Sequence, residues 1–334
     1  LMNRETIEIL NSAECTGCGA CMNACPVDAI KMKPNSEGFL FPCIDHDKCI
    51  HCGKCVGSCP ALEYTLHPES QRECYAVMAN DKIRMKSSSG GVFTLLAQYI
   101  LKKGGFVCGA AWDENWSVSH KIISSEEQLD DLRRSKYVAS DTGRSYTQIK
   151  ELLDNGKLVL FSGCPCQVAG LQKFLGKNYE NLLTIDIVCH GVPSPKAFQR
   201  YLKEIAKGEK IQYINFREKE HGWGSYITIH TDSGRVYHNN CYKDPWYVAF
   251  LNGLSRRYAC GTCHFAQFDR SGDITLGDFW GIGKYYPAYD DQKGTGLVLV
   301  NTEKGRHIFK KISSSLKLLK QIPNVETIDI AKHN

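Results

Sequence analysis

Cys15–Pro26 (CTGCGACMNACP) and Cys49–Pro60 (CIHCGKCVGSCP) are two copies of one pattern, Cys-x2-Cys-x2-Cys-x3-Cys-Pro. This run holds cubane [4Fe-4S] clusters in bacterial-type ferredoxins, where the fourth cysteine of each copy binds the cluster of the other copy. Zinc sites normally use paired Cys-x2-Cys elements instead. The repeat therefore predicts two one-electron centres, with these ligand sets: Cys15, Cys18, Cys21 and Cys59; and Cys49, Cys52, Cys55 and Cys25.

The length of 334 residues predicts two domains, because the cysteine repeat occupies only the first 62 or so. We expect a two-cluster ferredoxin domain over residues 1–70 and a larger domain over 71–334. The chain has 17 cysteines, but their cluster spacing favours a reducing cytoplasm over disulfides. No apolar run reaches membrane-spanning length and no secretory signal is evident, so we expect a cytoplasmic protein with no membrane partner.

The formal net charge of +5 does not predict nucleic-acid binding. Each [4Fe-4S] cube with four thiolates carries about −2, so three clusters would cancel the excess. The basic runs Lys82–Lys86 and Arg133-Arg134 are short and are expected to be solvated faces, although either could serve a cofactor pyrophosphate.

Alternating helix and strand signals follow a linker predicted over Ala61–Arg72, and they indicate a mixed α/β domain. Helices are predicted at Val92–Lys103, Ser125–Arg134, Tyr146–Asp154, Gln167–Leu175, Lys196–Ala206 and Trp246–Leu254. Strands are predicted at Phe106–Trp112, Leu158–Phe161, Leu183–Val188, Ile211–Phe216, Tyr226–Thr231 and Leu297–Asn301. The overall class is α+β, a small ferredoxin domain followed by a larger mixed α/β domain.

A third group of cysteines lies where predicted strands end. Cys164-Pro165-Cys166 and Cys189 each follow a strand, and Cys260-x2-Cys263 lies in a later loop. Ligands of open α/β sheets collect at the carboxyl ends of strands, so these thiols predict a further cluster, with zinc or ordinary buried thiols as alternatives. Spacing leaves Cys164 and Cys166 open as ligands, and the helix dipole slightly favours Cys166. No role is assigned to Cys43, Cys74, Cys108 or Cys241.

Five long motifs resemble the coenzyme F420 hydrogenase/dehydrogenase beta-subunit family over roughly residues 13–305. They are SSSGGVFTLLAQYIL (87–101), SKYVASD (135–141), VLFSGCPCQVAGL (159–171), CHGVPSP (189–195) and DITLGDFWG (273–281). The resemblance implies FAD and a neighbouring [4Fe-4S] cluster in the larger domain, which gives three clusters in all. It assigns Cys166, Cys189, Cys260 and Cys263 as ligands, and Cys164 departs from the threonine common in the family.

The expected flavin site combines the resemblance with the chemistry of individual residues. Ser87, Ser88, Ser89, Gly90 and Gly91 precede a helix, whose positive end attracts a pyrophosphate. Three further expectations concern single positions: Lys136 beside the flavin as a cation, Gly277 and Asp278 where the backbone approaches the cofactor, and His190 as a proton donor. A structural histidine and a surface lysine are the alternatives. No Gly-x-Gly-x-x-Gly follows a strand, which argues against a Rossmann site.

These features predict an iron–sulfur flavoprotein that links a two-electron partner to one-electron carriers. The two-electron partner would be a deazaflavin such as F420 or a small organic substrate, and the carrier a ferredoxin or another redox protein. Two alternatives remain: a non-catalytic electron carrier that docks a partner enzyme, and a thiol-active reductase using Cys164 with Cys241 or Cys74. The direction of electron flow and the oligomeric state, including a homo-oligomer, are left open.

Overall fold

The computed structural model describes residues 5–68 and 72–323. Its first part is a small module whose elements are α1 (Ala20–Ala24), β1 (Ile30–Pro34), β2 (Leu40–Ile44) and α2 (Lys54–Gly57). Strands β1 and β2 pair as an antiparallel hairpin. Gly19 and Gly53 occupy matching places before the two helices, with φ angles of 77° and 73°. Glycine adopts this left-handed conformation without strain, so the chain can turn directly from each cysteine loop into the helix that follows it.

The second part is built on an eight-stranded sheet with the strand order β13–β3–β12–β11–β7–β6–β4–β5. Its strands are β3 (Glu73–Met78), β4 (Phe106–Trp112), β5 (Val118–Ile123), β6 (Val159–Gly163), β7 (Leu182–Ile187), β11 (Ile274–Asp278), β12 (Gly296–Val300) and β13 (Leu318–Ile322). The helices that lie around it are α3 (Asp81–Met85), α4 (Val92–Lys102), α5 (Leu129–Leu132), α6 (Ser145–Asp154), α7 (Pro165–Leu175), α10 (Ile282–Tyr285) and α11 (Glu303–Ile312).

The four central strands β11, β7, β6 and β4 run parallel, and their outer neighbours pair antiparallel. Adjacent residues of one strand point to opposite faces, and Leu160 and Phe161 accordingly belong to different core clusters. Helices α4 and α11 cover the Leu160 side, and α6 and α7 cover the Phe161 side. The central strands are therefore buried on both faces, and their carboxyl ends form a common edge where ligands bind in such sheets.

A second, three-stranded sheet lies beside this edge. It consists of β8 (Ile211–Asn215), β9 (Tyr226–Thr231) and β10 (Val236–Asn240), paired antiparallel in the order β10–β9–β8. Its apolar face packs with α8 (Pro195–Ala206) and α9 (Pro245–Leu251) around Phe198, Phe216 and Trp246. Arg217 lies just after β8 and donates a hydrogen bond to Asp278 at the end of β11. The small sheet therefore contributes a side chain to the edge formed by the carboxyl ends of the parallel strands.

The ferredoxin-like module packs directly on helices α6 and α7. Cys18 and Ala20 belong to the same buried cluster as Tyr146 and Val168. Hydrogen bonds reinforce this contact: the Thr142 hydroxyl donates to the Cys18 carbonyl oxygen at 2.9 Å, and Asn23 donates to the Gly143 carbonyl oxygen at 2.8 Å. A buried, hydrogen-bonded interface of this kind holds the first cysteine loop at one position relative to the larger domain.

Most predicted elements occur within a few residues of their expected bounds, but two helices are shorter than predicted. The segment Ser125–Arg134 forms only a 3-10 turn and the four-residue α5, and the chain is extended at Arg133 (φ −64°, ψ 159°) because that residue turns toward the strand edge. Helix α9 ends at Leu251, and Gly253 follows with a φ of 77°. The predicted linker Ala61–Arg72 lies partly outside the described residues.

The expectation that the basic run Lys82–Lys86 is a solvated face is wrong for its central residue. Arg84 is fully buried, and its guanidinium pairs with Asp291 and Asp81 while donating to the Gly294 carbonyl oxygen at 3.0 Å. Asp291 lies 207 residues further along the chain, so the run of letters alone could not reveal this ion pair. The run ties helix α3 to the loop before β12.

The expected mixed α/β architecture of the larger domain is confirmed by this element order. Across residues 5–68 and 72–323, none of the helices combines the length and the apolar character that crossing a bilayer requires.

We predict that Gly305→Ala destabilises the protein although alanine is the better helix former. A Cβ at Gly305 would lie 2.4 Å from the backbone oxygen of Asp273, which cannot rotate away. Overpacking of this kind costs about 2 kcal/mol, roughly a 4–8 °C lower Tm for a domain of this size. His307→Ala on the exposed side of the same helix is the control and should change Tm by little. An unchanged Tm of Gly305→Ala in anaerobic calorimetry would contradict the packing described.

Candidate flavin and iron–sulfur site

A cavity of about 400 Å³ opens at the carboxyl ends of the central parallel strands. Strands β6, β7 and β11 contribute Gly163, Ile187 and Asp278 to its wall. All the residues predicted for the flavin site line this one cavity: Ser87, Ser88, Ser89, Gly90, Gly91, Lys136, His190, Gly277 and Asp278. Residues separated by up to about 190 positions therefore share one volume, which lies in the usual size range of small-molecule sites.

The serine–glycine loop before α4 presses against the end of β12. A Cβ at Gly90 would lie 2.5 Å from the Gly296 nitrogen, and Gly91 has a φ of 87°, so both positions require glycine. The hydroxyls of Ser87 and Ser89 donate to the backbone oxygens of Ile83 and Thr295 and so fix the loop. In this conformation these two hydroxyls therefore stabilise the loop itself, and the role of Ser87 and Ser89 in binding a ligand stays a prediction.

The Ser88 hydroxyl and the start of α4 remain as the polar surface of this loop. Ser88 Oγ accepts hydrogen bonds from the backbone nitrogen of Ser135 at 2.8 Å and from its hydroxyl at 3.0 Å, which leaves the Ser88 proton to donate. The first turn of a helix has backbone N–H groups without intrahelical partners, and Val92, Phe93 and Thr94 of that turn line the cavity. The loop can therefore receive an anion such as a pyrophosphate.

Lys136 lies in the segment that Ser88 holds against the cavity. Its ammonium donates to the backbone oxygens of Arg133 and Arg134, at 2.9 and 3.4 Å. Burial is the main cause that lowers the pKa of Lys136 to about 7, and the positive charge of Arg134 adds a smaller lowering. Arg133 and Arg134 also line the cavity, so the alternative given for this pair, service to a cofactor pyrophosphate, stays a prediction.

An ion pair between Arg217 and Asp278 forms the opposite wall. The two guanidinium nitrogens of Arg217 donate to the Asp278 carboxylate at 2.6 and 3.0 Å, and the guanidinium lies 5.0 Å from the Trp280 ring centroid. Arg217 is only 3% exposed. Burial lowers the pKa of the Arg217 guanidinium, but the negative charge of Asp278 outweighs this and keeps that pKa well above the ordinary value. Asp278 is thus a structural counter-ion at the cavity. Arg217 was missed because no local motif marks it, whereas Trp280 lies within the DITLGDFWG motif but was not singled out as a site residue.

His190 also reaches the cavity, but its ring is partly engaged. Nε2 lies 3.2 Å from the Leu251 carbonyl oxygen, and the ring packs edge-on against Phe250 at 5.3 Å. A carbonyl only accepts, so Nε2 carries the proton in this arrangement. The proton that His190 could deliver is therefore held by backbone in this conformation.

The four cysteines of the predicted third set converge beside the cavity. The largest influence on Cys166 is burial, which raises the pKa of its thiol, and charges on Cys189, Cys18, Cys263 and Cys260 raise it further. Cys166 lies in the first turn of α7, Cys189 follows β7, and Cys260 and Cys263 share one loop. Thiolates that repel one another in a buried site need a positive metal centre to balance them, which matches the chemistry of a cluster.

Cys164 is a fifth thiol at the same place, and its position differs from that of Cys166. It is the N-cap residue of α7, it lines the cavity, and its thiol forms a hydrogen bond with the thiol of Cys189. This hydrogen bond raises the pKa of Cys164 well above its ordinary value and lowers that of Cys189 to about 7. Cys241 and Cys74, the partners considered for a thiol reductase, pack in two other clusters of the fold.

The two sets predicted from the repeat are each brought together. Burial raises the pKa of the Cys18 thiol to about 12, and charges on Cys59 and Cys15 add to this. Burial also raises the pKa of Cys21, with further contributions from Cys18, Cys15 and Cys59. A separate small cavity of about 20 Å³ is lined by the other four: Cys25, Cys49, Cys52 and Cys55. The crossed pairing of the fourth cysteines is thus compatible with the positions of all eight side chains.

The two sets differ in their surroundings. Cys15, Cys18, Cys21 and Cys59 are all buried, whereas Cys25, Cys49 and Cys52 of the other set are partly exposed. Cys18 also faces the larger domain: a Cβ at Gly170 of α7 would lie 2.9 Å from Cys18 Sγ. The Cys18 set is therefore the inner one, next to the third set, and the Cys25 set is the outer one.

Comparison with known proteins gives three consecutive family matches. A 4Fe-4S dicluster domain matches residues 14–62, which confirms the ferredoxin-type module. The N-terminal part of the coenzyme F420 hydrogenase/dehydrogenase beta subunit matches residues 74–145, and its C-terminal part matches residues 156–324.

A coenzyme F420-dependent sulfite reductase from Methanocaldococcus jannaschii is 24% identical over 335 residues, covering 96% of this chain and 49% of that protein. The chain thus spans about half the length of this curated relative. A chain in the structure of the F420-reducing [NiFe] hydrogenase complex from Methanosarcina barkeri shares the fold, with a TM-score of 0.52 and 18% identity over 81% of this chain and 91% of that one.

The C-terminal match alone spans half of the chain, and the five motifs around the cavity fall within the two beta-subunit matches. The chain therefore belongs to the coenzyme F420 hydrogenase/dehydrogenase beta-subunit family, whose members are iron–sulfur oxidoreductases, and it carries a two-cluster 4Fe-4S module at its N-terminal end.

Proposed function

We propose that this chain is an iron–sulfur flavoprotein oxidoreductase, with a two-cluster domain up to about residue 70 and a flavin- and cluster-binding domain after it. The observation that carries the proposal is one continuous arrangement. The cavity touches Cys189, Cys189 neighbours Cys166, and Cys166 neighbours Cys18 of the inner ferredoxin set. A cofactor in the cavity would thus be connected to the protein surface through three sets of four cysteines.

The residues of the cavity wall support FAD as the proposed cofactor. The glycine positions 90 and 91 let the loop before α4 approach a ligand closely, and the Ser88 hydroxyl with the first turn of α4 supplies donors for a pyrophosphate. Lys136, Arg133 and Arg134 add positive charge to the same wall. When bound, the flavin would supply the exchange between paired and single electrons, which protein side chains cannot perform.

The residues around the cavity would then orient and tune that cofactor. Lys136 would place positive charge where a reduced flavin is anionic, and Arg217 with Asp278 would fix the wall on the other side. His190 would exchange a proton with solvent or substrate once Nε2 leaves the Leu251 carbonyl oxygen. The three cysteine sets would hold [4Fe-4S] clusters, which pass single electrons.

The two-electron partner is proposed to be a deazaflavin of the F420 type or a small organic molecule. Both named relatives depend on or reduce F420, and the cavity wall combines apolar strand ends with cationic side chains, which suits an anionic aromatic ligand. The one-electron partner would be a ferredoxin or another redox protein that meets the more exposed outer cysteine set.

We predict that Cys166→Ala removes one cluster, whereas Cys164→Ala removes none. Cys166 lies near Cys18 and near Cys189, Cys260 and Cys263, whereas Cys164 lies near Cys189, Cys166 and Cys260 and also lines the cavity; the family resemblance assigns Cys166 as the ligand. Protein reconstituted anaerobically should contain about twelve irons per chain in the wild type and in Cys164→Ala, and about eight in Cys166→Ala. Eight irons in the wild type, or zinc without sulfide at this set, would refute the third cluster. Eight irons in Cys164→Ala with twelve in Cys166→Ala would exchange the two roles.

We predict that Lys136→Met lowers the two-electron midpoint potential of the bound flavin. Loss of the buried positive charge should reduce the equilibrium constant for reduction about tenfold, which is about 30 mV for a two-electron couple. Lys136→Arg should restore most of the potential. The control is Lys121→Met, which removes an exposed lysine paired with Asp131. Spectroelectrochemistry of the flavin band provides the measurement, and an unchanged potential in Lys136→Met would remove this lysine from the site.

We predict that acid treatment releases a yellow flavin, and that the intact protein exchanges electrons between reduced F420 and an oxidised one-electron acceptor under anaerobic conditions. The same protein should be tested with reduced ferredoxin as the donor, because the direction of flow is open. A colourless supernatant after acid precipitation would instead support a non-catalytic electron carrier. Flavin release without turnover of F420 would favour an organic substrate.

A further inference from the structure

Arg257 is a buried cation that connects the module to the larger domain. It is 4% exposed, and its side chain donates to the Cys15 carbonyl oxygen at 2.6 Å and to the Leu40 carbonyl oxygen at 3.0 Å. Its guanidinium also lies 4.1 Å from the Phe41 ring centroid. The side chain of Arg257 therefore belongs to the inner cysteine loop although its backbone belongs to the larger domain.

The backbone of Arg257 is tied to the third cysteine set. Its nitrogen donates to the Val192 carbonyl oxygen at 2.9 Å, in the segment that follows Cys189, and its own carbonyl oxygen accepts from the Cys260 nitrogen at 3.0 Å. One residue thus contacts loops that carry ligands of two different sets.

Arg257 has no carboxylate within ion-pair distance in the described parts of the chain, where its side-chain acceptors are backbone oxygens. A buried charge is costly unless an opposite charge compensates it. Arg84 and Arg217 follow this rule through Asp291 and Asp278. For Arg257 the counter-charge must come from another source, and two anionic [4Fe-4S] centres, each about −2 with its thiolates, would supply it.

Only one of the two cysteine loops of the repeat has a small residue at the position that Arg257 contacts. Gly17 and His51 occupy matching places and have φ angles of 71° and 49°. A Cβ at Gly17 would lie 2.7 Å from Arg257 Nη1, whereas His51 in the outer loop is exposed. The inner loop therefore carries glycine where the arginine packs, and the outer loop carries a larger residue where none does.

We propose that Arg257 is a positioning residue for electron transfer, which holds the inner cluster loop against the third cluster loop and raises the reduction potentials of both clusters. The inference rests on the three clusters of the proposed function. Net charge and nearby donors are main determinants of cluster potentials. A cation between two clusters favours their reduced states, and among the described residues Arg257 forms no hydrogen bond with the outer cysteine loop.

The test is a redox titration of the full-length protein, followed by EPR, for Arg257→Gln, Arg257→Lys and a control. In Arg257→Gln we expect the one-electron reduction constants of two clusters to fall about tenfold, which is 59 mV for one electron. The reduction potential of the outer cluster should not change. Arg257→Lys keeps the positive charge but lacks the planar guanidinium with its several donors. It should retain most of the reduction potential of the inner and the third cluster. The control Arg144→Gln removes another arginine of this interface, one that is exposed and pairs with Asp28, and should shift none.

Unchanged potentials in Arg257→Gln with twelve irons bound would overturn the inference and leave the proposed function intact. An equal shift in Arg257→Lys and Arg257→Gln would show that packing, not charge, matters, and would also overturn it. If Arg257→Gln loses iron, Arg257→Lys decides: twelve irons and wild-type potentials support the charge, and loss of iron there as well rejects it. Eight irons in the wild type would refute the third cluster itself, and the inference would fall with it.

Discussion

The contact between the first cysteine loop and helix α7 places the small module at the strand edge of the larger domain. Cys18 packs against Gly170, where a single added carbon would lie 2.9 Å from its sulfur, and Cys18 is close enough to raise the pKa of the Cys166 thiol in the first turn of the same helix. Side chains of Asn23 and Thr142 close this interface with hydrogen bonds between the two parts. Electron transfer between centres requires closeness, and this packing would provide it for clusters held by the inner and third cysteine sets.

The second constraint is electrostatic. Twelve cysteines are gathered into three sets, and in the inner and third sets burial and mutual repulsion disfavour the thiolate form of several members. Such sets are stable as thiolates only around positive metal centres, and the whole assembly then becomes anionic. Among the buried arginines of the described residues, Arg84, Arg217 and Arg270 each have a carboxylate within ion-pair distance. Arg257 has none there, and it lies between two cysteine loops.

The parallel strands explain why distant motifs form one cavity. The carboxyl ends of neighbouring parallel strands meet at one edge, so residues after β6, β7 and β11 become neighbours in space. The loop before α4 and the segment around Lys136 close the same cavity through the hydrogen bond between Ser135 and Ser88. Cys164 and Cys166, two positions apart, both lie near Cys189 and Cys260, but Cys164 also lines the cavity and Cys166 also lies near Cys18 of the inner cysteine loop.

The sequence by itself determined the features that depend on local spacing. The two cysteine runs, their crossed assignment, the helix and strand of Val92–Trp112 and the family motifs around the cavity are all readable from neighbouring residues. Tertiary structure alone decided which of the two ferredoxin sets is the inner one, that Arg84 is buried, that Arg217 lines the cavity, and that Arg257 contacts the inner cysteine loop. The partners of Arg217 and Arg257 lie 61 and 242 residues away. Local patterns encode backbone geometry and burial periodicity, whereas the partner of a buried charge is chosen by packing between segments that no local pattern connects.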